Sequence, residues 1–245
     1  MSHNIELHEG AYIISDAHYS PQRPELLAFI KDIHSKKLQP TQLILMGDIF
    51  DALFGLIEYT YESNQEMITL LEAIAQEIDV LYLEGNHDFN LKVVFQNIKI
   101  IPLSKQPLLC SYKEKKIYLA HGDFDAPFGY RLYTAFIRNP FVLFVLKYID
   151  IALNHRIING IEAHLEKKDD CKVLDWFEDF IQKRFDNRFV CDYFIEGHFH
   201  QNKSLQLSNF VYINLGAFAC NQRYFIVKSM QDKELLEENQ FSKER

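Results

Sequence analysis

The sequence predicts an α/β fold, with sheet strands in the interior and helices on the sheet faces. Two observations carry this. Short apolar, β-prone runs alternate with longer runs whose apolar residues recur at helical spacing. Five of the apolar runs also end directly in Asp or His: Asp16-Ala17-His18, Gly47-Asp48-Ile49-Phe50-Asp51, Gly85-Asn86-His87-Asp88, His121-Gly122-Asp123 and Gly197-His198-Phe199-His200. Sites in open α/β sheets lie at the carboxyl ends of strands, so the position of these runs agrees with their chemistry.

Taken in order, Ala11 to Ser15 reads as a strand ending at Asp16, and Glu25 to Lys36 as a helix with Leu26, Phe29, Ile30 and Ile33 on one face. Gln42 to Met46 is the next strand. Glu62 to Ile78 is a second helix, and Val80 to Leu83 a strand leading into Gly85-Asn86-His87-Asp88. Ile98 to Leu103 and Leu108 to Tyr112 are β-prone. Lys113 to Lys116 is a charged turn, and Lys116 to Ala120 delivers His121. Val190 to Ile195 delivers Gly197-His198, and Phe210 to Leu215 and Arg223 to Lys228 close the set. The charged tail from Gln231 reads as a helix or a frayed end. No repeat or low-complexity segment interrupts the pattern.

Between His121 and His198 the spacing departs from a simple crossover, which needs only about 10–12 residues. Residues 1–245 read as one domain carrying a helical insertion over about 126–185. Phe128 to Leu165 is helical with a break at Asn139-Pro140, and Asp175 to Lys183 forms an amphipathic helix. From Phe141 to Leu153 the sequence is apolar almost all round, with only Lys147, Asp150 and Asn154 as a polar stripe. Such a helix is buried or meets an apolar ligand or surface.

Composition narrows the partners. A hydrophobic content of 48% excludes wholesale disorder. A net charge of −8 argues against general duplex binding, so no nucleic-acid partner is expected. Cys110, Cys171, Cys191 and Cys220 are scattered without a C-x-x-C, which predicts reduced structural thiols. Met1 to Gly10 lacks an apolar signal region, and no run approaches the ~20 residues of a membrane span. These features predict a cytoplasmic protein. The histidines outside the five runs, His3, His8, His34, His155 and His164, read as surface or helix residues.

The five runs supply carboxylates at Asp16 and Asp48, imidazoles at His18, His121, His198 and His200, and an amide at Asn86. Oxygen and nitrogen donors without thiolate suit Mn²⁺, Fe or Zn. Seven ligands exceed the needs of one such ion, and two ions ~3.5–4 Å apart, bridged by a carboxylate, use them naturally.

With its D-x-H, G-D-x-x-D, G-N-H-D, H-G-D and G-H-x-H runs in order, the chain resembles the calcineurin-like metallophosphoesterases from about Ala11 to Gly216. The resemblance implies a four-layer αββα sandwich with an inserted helical lid, and two divalent ions, Mn²⁺ first, with Fe or Zn as alternatives. It implies that one ion takes Asp16, His18, Asp48 and His200, and the other Asp48, Asn86, His121 and His198. It also implies an activated water as nucleophile and His87 as the catalytic residue beside the phosphate, with Asp88 orienting His87.

Within that family the insert resembles the lid of the UDP-2,3-diacylglucosamine hydrolases of lipid A synthesis, through Tyr130 to Phe136 and Asn139-Pro140-Phe141. This implies a pyrophosphate hydrolase releasing UMP and 2,3-diacylglucosamine 1-phosphate. Asn86, His87, Tyr130, Arg131 and Lys172 are the expected substrate contacts. The expected partners are the acylated nucleotide-sugar and, peripherally, the cytoplasmic face of the inner membrane. One departure matters: those hydrolases carry Arg where this chain has His87. A pyrophosphate expels a phosphate, for which cationic stabilisation suffices, whereas a simple phosphoester expels an alkoxide that benefits from a proton donor. A phosphatase or phosphodiesterase is therefore the alternative enzyme, and a metal-bearing binding scaffold the alternative of another class.

Overall fold

The computed structural model describes residues 5–165, 169–185, 188–229 and 234–241. From the N-terminus, β1 (Ile5–Glu6) leads to β2 (Tyr12–Ile14), α1 (Glu25–His34) and β3 (Gln42–Leu45). Next come β4 (Leu53–Phe54), α2 (Tyr59–Glu62), α3 (Gln65–Ala75), β5 (Asp79–Leu83), β6 (Asp88–Phe89) and β7 (Lys99–Ile101). β8 (Leu108–Tyr112) and β9 (Lys115–Ala120) form a hairpin. Three helices follow, α4 (Phe128–Ile137), α5 (Pro140–Ala152) and α6 (Arg156–Leu165), and then α7 (Phe177–Phe185). The chain ends with β10 (Tyr193–Glu196), β11 (Lys203–Gln206), β12 (Val211–Asn214), α8 (Phe218–Asn221), β13 (Arg223–Val227) and β14 (Leu236–Gln240).

Two six-stranded sheets result, in the orders β14-β13-β2-β3-β5-β7 and β1-β8-β9-β10-β12-β11. The period of two along each strand explains the four layers. On β3, Leu43 and Leu45 join Leu26, Phe29, Ile30 and Met67 of α1 and α3 in an outer core. Ile44 points the other way and packs with Ile117, Leu119 and Ile195 of the second sheet. On that sheet's outer face, Ala120, Phe194 and Tyr212 meet Phe177, Ile181 and Phe185 of α7. Strands buried on both faces must read as continuous apolar runs, which is why β3 and β5 are legible as Leu-Ile-Leu and Val-Leu-Tyr-Leu. The metallophosphoesterase layering implied by the resemblance is therefore present.

Several local expectations are corrected. The helix expected over Glu62 to Ile78 is α3, shorter at both ends; Asn64 separates it from α2, and its side-chain amide donates to the carbonyls of Thr60 and Ala52. Part of the expected helical tail is strand β14, antiparallel to β13, and only Leu236 of that strand is buried. Gln231 and its neighbours to 233, and His3, lie outside the described residues. Cys171 and Cys220 form a disulfide rather than two free thiols, while Cys110 and Cys191 are free and buried.

The α4–α5 break has a specific cause. Pro140 opens α5, and the Asn139 side chain accepts Phe141 N–H at 2.9 Å and Val142 N–H at 3.4 Å, an N-cap with Pro at the first position. Asp150 performs the same task for α6, its Oδ1 accepting Ile157 N–H at 2.9 Å. This explains the buried acid in an apolar helix. Within α5 only Leu143 and Asp150 are buried. Leu143 and Ile158 pack on Phe54, Ile57 and Phe89, holding these helices above the strand ends. Among the described residues no helix is long and apolar enough to cross a membrane.

Candidate metal centre

The carboxyl ends of β2, β3, β5, β9 and β10 deliver the five runs to one place. Asp16, His18 and His200 bring ligand atoms within 4.8 Å of one another, as do Asp48, His121 and His198, and a third group joins His18, Asp48 and His87. Asn86 Oδ1 lies 3.2 Å from His121 Nε2. All seven expected ligands thus converge, with Asp48 shared between groups.

The backbone there is strained. Asp16 (φ 50°), His18 (46°), Asp48 (51°), His198 (64°) and His200 (59°) all occupy the left-handed region, which costs a non-glycine residue about 1–3 kcal/mol. Two glycines are present for close approach rather than for a positive φ. A Cβ on Gly85 would collide with Asp48 Oδ1, and one on Gly197 with Ser15 and Asp16. Compact strand-end turns therefore force the ligand side chains inward at measurable conformational cost.

Hydrogen bonds fix the rings. His121 Nδ1 donates to the Met46 carbonyl at 3.0 Å, turning Nε2 toward Asp48 Oδ2 at 3.4 Å. His200 Nδ1 donates to the Asp170 carbonyl at 2.5 Å, turning Nε2 to Asp16 Oδ1 at 3.0 Å. Backbone acceptors behind ligand imidazoles set the tautomer that presents a lone pair to a cation. The Asp88 carboxylate, expected to orient His87, is engaged by other donors. It accepts Asp48 N–H at 3.0 Å, Ile49 N–H at 2.6 Å, Gly85 N–H at 2.9 Å and the Tyr82 hydroxyl at 2.5 Å. It thereby ties the Asp48 loop to the Asn86 loop. His87 is oriented instead by the Asp51 carbonyl, 3.0 Å from Nδ1, with Nε2 3.9 Å from Asp48 Oδ2.

The residues present fit cations. Both ring nitrogens of buried His18 lack a hydrogen-bond partner, its Nδ1 standing 3.3 Å from Asp51 Oδ1 without bonding geometry. His198 Nδ1 faces His121 Nε2 at 3.2 Å, two ring nitrogens competing for one proton. Burial works to raise the Asp48 carboxyl, yet the imidazoles of His121, His87 and His18 outweigh it and hold it well below the usual range. Burial also works to raise Asp16, and His200 and His121 likewise reverse it. For His121 and His200 burial would lower the pKa, but Asp48 and Asp16 respectively raise it. Burial and the charge of His121 push His198 down to about 3. Protons on imidazoles thus balance carboxylates where cations would do so.

Beside this cluster lies a cavity of about 580 Å³ whose lining includes Asn86, His87, Tyr130 and Arg138. Of the other expected contacts, Arg131 and Lys172 are exposed and outside the lining. Arg138, a basic residue of the insertion expected to meet phosphate or the membrane surface, is held against the Asn86 loop. It donates to the Gly85 carbonyl at 2.7 Å, and its guanidinium lies 5.0 Å from the Phe89 ring centroid. Asn90 in turn donates to the Arg138 carbonyl at 3.0 Å.

A family model described as calcineurin-like phosphoesterase matches residues 11–202. Among curated relatives, the UDP-2,3-diacylglucosamine hydrolase of Pseudomonas fluorescens (strain SBW25) is 25% identical over 166 residues, covering 66% of this chain and 67% of that protein. The one from Haemophilus influenzae (strain PittGG) is 26% identical over 222 residues, covering 86% and 91%. Among solved structures, an archaeal phosphodiesterase aligns with a TM-score of 0.47 at 15% identity, over 94% of this chain and 99% of that one. With the match spanning all five runs, the chain belongs to the calcineurin-like phosphoesterases and is a metal-dependent phosphoester hydrolase of a family that uses two divalent ions.

Proposed function

We propose that this chain hydrolyses the pyrophosphate of UDP-2,3-diacylglucosamine to UMP and 2,3-diacylglucosamine 1-phosphate. The observation that carries this reading is the cavity beside the metal cluster, whose lining combines Asn86, His87 and Asp51 with Phe54, Ile57, Phe89, Leu143, Leu146 and Ile161. A phosphoryl group held by the polar residues leaves the apolar ones for acyl chains, where each buried methylene contributes about 0.8 kcal/mol. The relatives named above carry this activity in their names.

In this reading Asp16, His18, Asp48 and His200 hold one ion, and Asp48, Asn86, His121 and His198 the other. Mn²⁺ is the first choice for these donors. When bound, such ions supply an activated water and neutralise phosphoryl charge. His87, fixed through Nδ1 by Asp51, presents Nε2 to the departing phosphate and steadies its charge or gives it a proton. Asn86 contacts the same phosphate from the adjacent position. Tyr130 borders the cavity from α4, and the apolar helices above exclude water. Arg131 and Lys172, being exposed, serve groups outside the cavity, such as lipid phosphates. Phe128, Leu132, Phe141, Phe144 and Tyr148 are exposed large apolar side chains on α4 and α5. They suit peripheral contact with the cytoplasmic face of the inner membrane.

The test strips the protein of metal, reloads it with Mn²⁺, and offers the acylated UDP-sugar, a dinucleotide polyphosphate and an aryl phosphodiester. Release of UMP from the acylated substrate at the highest kcat/KM is expected. His87 in place of arginine favours a second reading, a phosphodiesterase with an alkoxide leaving group. Fastest turnover of the aryl phosphodiester would support that reading instead.

A further inference from the structure

Cys171 and Cys220, at a sequence separation of 49, join two segments that each contact the metal cluster. Cys171 follows Asp170, whose carbonyl accepts His200 Nδ1–H at 2.5 Å and whose carboxylate pairs with Arg23 at 2.5 Å. Cys220 lies in α8, which hangs on the Asp16 loop: Phe218 N–H donates to the Ser15 carbonyl at 2.9 Å and Ala219 N–H to the Asp16 carbonyl at 3.2 Å. Cys220 Sγ itself is 3.6 Å from the Asp170 carbonyl oxygen. The bridge therefore links the acceptor that orients His200 to the element that supports Asp16, and those two side chains meet at 3.0 Å.

The pair is also the accessible one. Cys171 is exposed and Cys220 partly so, whereas Cys110 and Cys191 are buried, with thiols that burial pushes up to about 12 and about 11. A solution thiol reaches the first pair and not the second.

We propose that Cys171–Cys220 is a redox-modifiable site that tightens the His200 metal position when oxidised and loosens it when reduced by a small dithiol. In reduction, a thiolate of the dithiol attacks Cys171 Sγ. The S–S bond breaks, and Cys220 leaves as a thiolate and takes up a proton. The second thiol of the reductant then closes on its own sulfur in the mixed disulfide and releases Cys171, which is also protonated. The dithiol gives up two electrons and becomes a cyclic disulfide, and the two cysteines gain those electrons and two protons. In the disulfide, Cys220 Sγ bears no hydrogen and Asp170 is tethered, so its carbonyl serves His200. In the dithiol the tether is gone, and a Cys220 S–H competes for the same carbonyl. Loss of such a partner behind a ligand imidazole weakens metal binding by about 10–100-fold.

The test uses the full chain in two preparations, one oxidised with glutathione disulfide and one reduced with dithiothreitol, both desalted under argon. Thiols counted in denaturant are expected to be two in the first and four in the second. Mn²⁺ affinity is then measured against a competing chelator. One of the two sites is expected to bind about tenfold more weakly after reduction. Cys171→Ser and Cys220→Ser are each expected to hold the reduced value whatever the oxidant, although the wild-type comparison decides without them. Four free thiols after glutathione disulfide, or an affinity that is unchanged or higher on reduction, would overturn the proposal. Neither readout involves a phosphoester, so failure here is separate from failure of the substrate assignment.

Discussion

Asp48 is shared between two groups of candidate ligands: it accepts His87 N–H at 2.8 Å and faces the rings of His121 and His87. Asp48→Ala should lower kcat at least ~10³-fold by removing the shared ligand. Bound metal, measured by elemental analysis, should fall from two ions per chain to one or fewer. Full activity in that variant would contradict a shared carboxylate. Protonation gives a second expectation. Asp48 and Asp16 raise His121 and His200 above the ordinary imidazole value, so protons on these rings compete with a metal for the same nitrogens. Metal affinity should therefore rise with pH through the neutral range and fall as the rings protonate, which chelator competition at several pH values would show. A pH-independent affinity would count against this proton competition. At this scale the sequence was legible wherever side chains follow directly on strands, as for Asp16, Asp48 and His121. It was silent where a backbone carbonyl acts, as Asp170, Met46 and Asp51 do, because a carbonyl has no residue signature. The bonds of Asp88 are illegible for a related reason: adjacency in sequence points to His87, whereas the turn brings its carboxylate to the Asp48 loop.

Helix α5 presents two different faces. Leu146 lines the cavity, whereas Phe144 is exposed and outside the lining. Leu146→Asp should cut turnover of the acylated substrate far more than that of an aryl phosphodiester. Phe144→Asp should spare both in detergent-free buffer and instead weaken sedimentation with anionic vesicles. Parallel losses on both substrates for Leu146→Asp would assign the residue to folding. Helix α1 offers a structural counterpart. Phe29 is fully buried among Tyr12, Phe218 and Tyr224. Phe29→Ala should cost about 3–5 kcal/mol in urea unfolding, and a loss below ~1 kcal/mol would mean that the site collapses around the gap. The face of α1 could be read directly from its spacing. The exposure of α5 could not, since an apolar helix reads the same whether it faces a core, a ligand or a membrane. Strand β14 was illegible because an edge strand with only Leu236 buried carries no alternation.

At the scale of the whole molecule, the two sheets bring five strand ends to one point, and the helices from 128 to 165 line a cavity together with Asp51, Asn86 and His87. The alternation of strands and helices made the layers readable. The partner of each sheet face was not, because Ile44 and Leu45 look alike until the second sheet and α1 claim opposite sides. The Cys171–Cys220 pairing likewise depends on tertiary approach alone. The central claim joins centre and cavity: a two-metal site acting on a nucleotide-sugar whose acyl chains occupy the space beneath α5 and α6. Its most direct test is kcat/KM, after Mn²⁺ reloading, for the diacylated UDP-sugar against the same UDP-sugar without acyl chains. A preference of at least ~10²-fold for the diacylated compound is predicted, which corresponds to burying only a few methylenes. Equal values would contradict the claim.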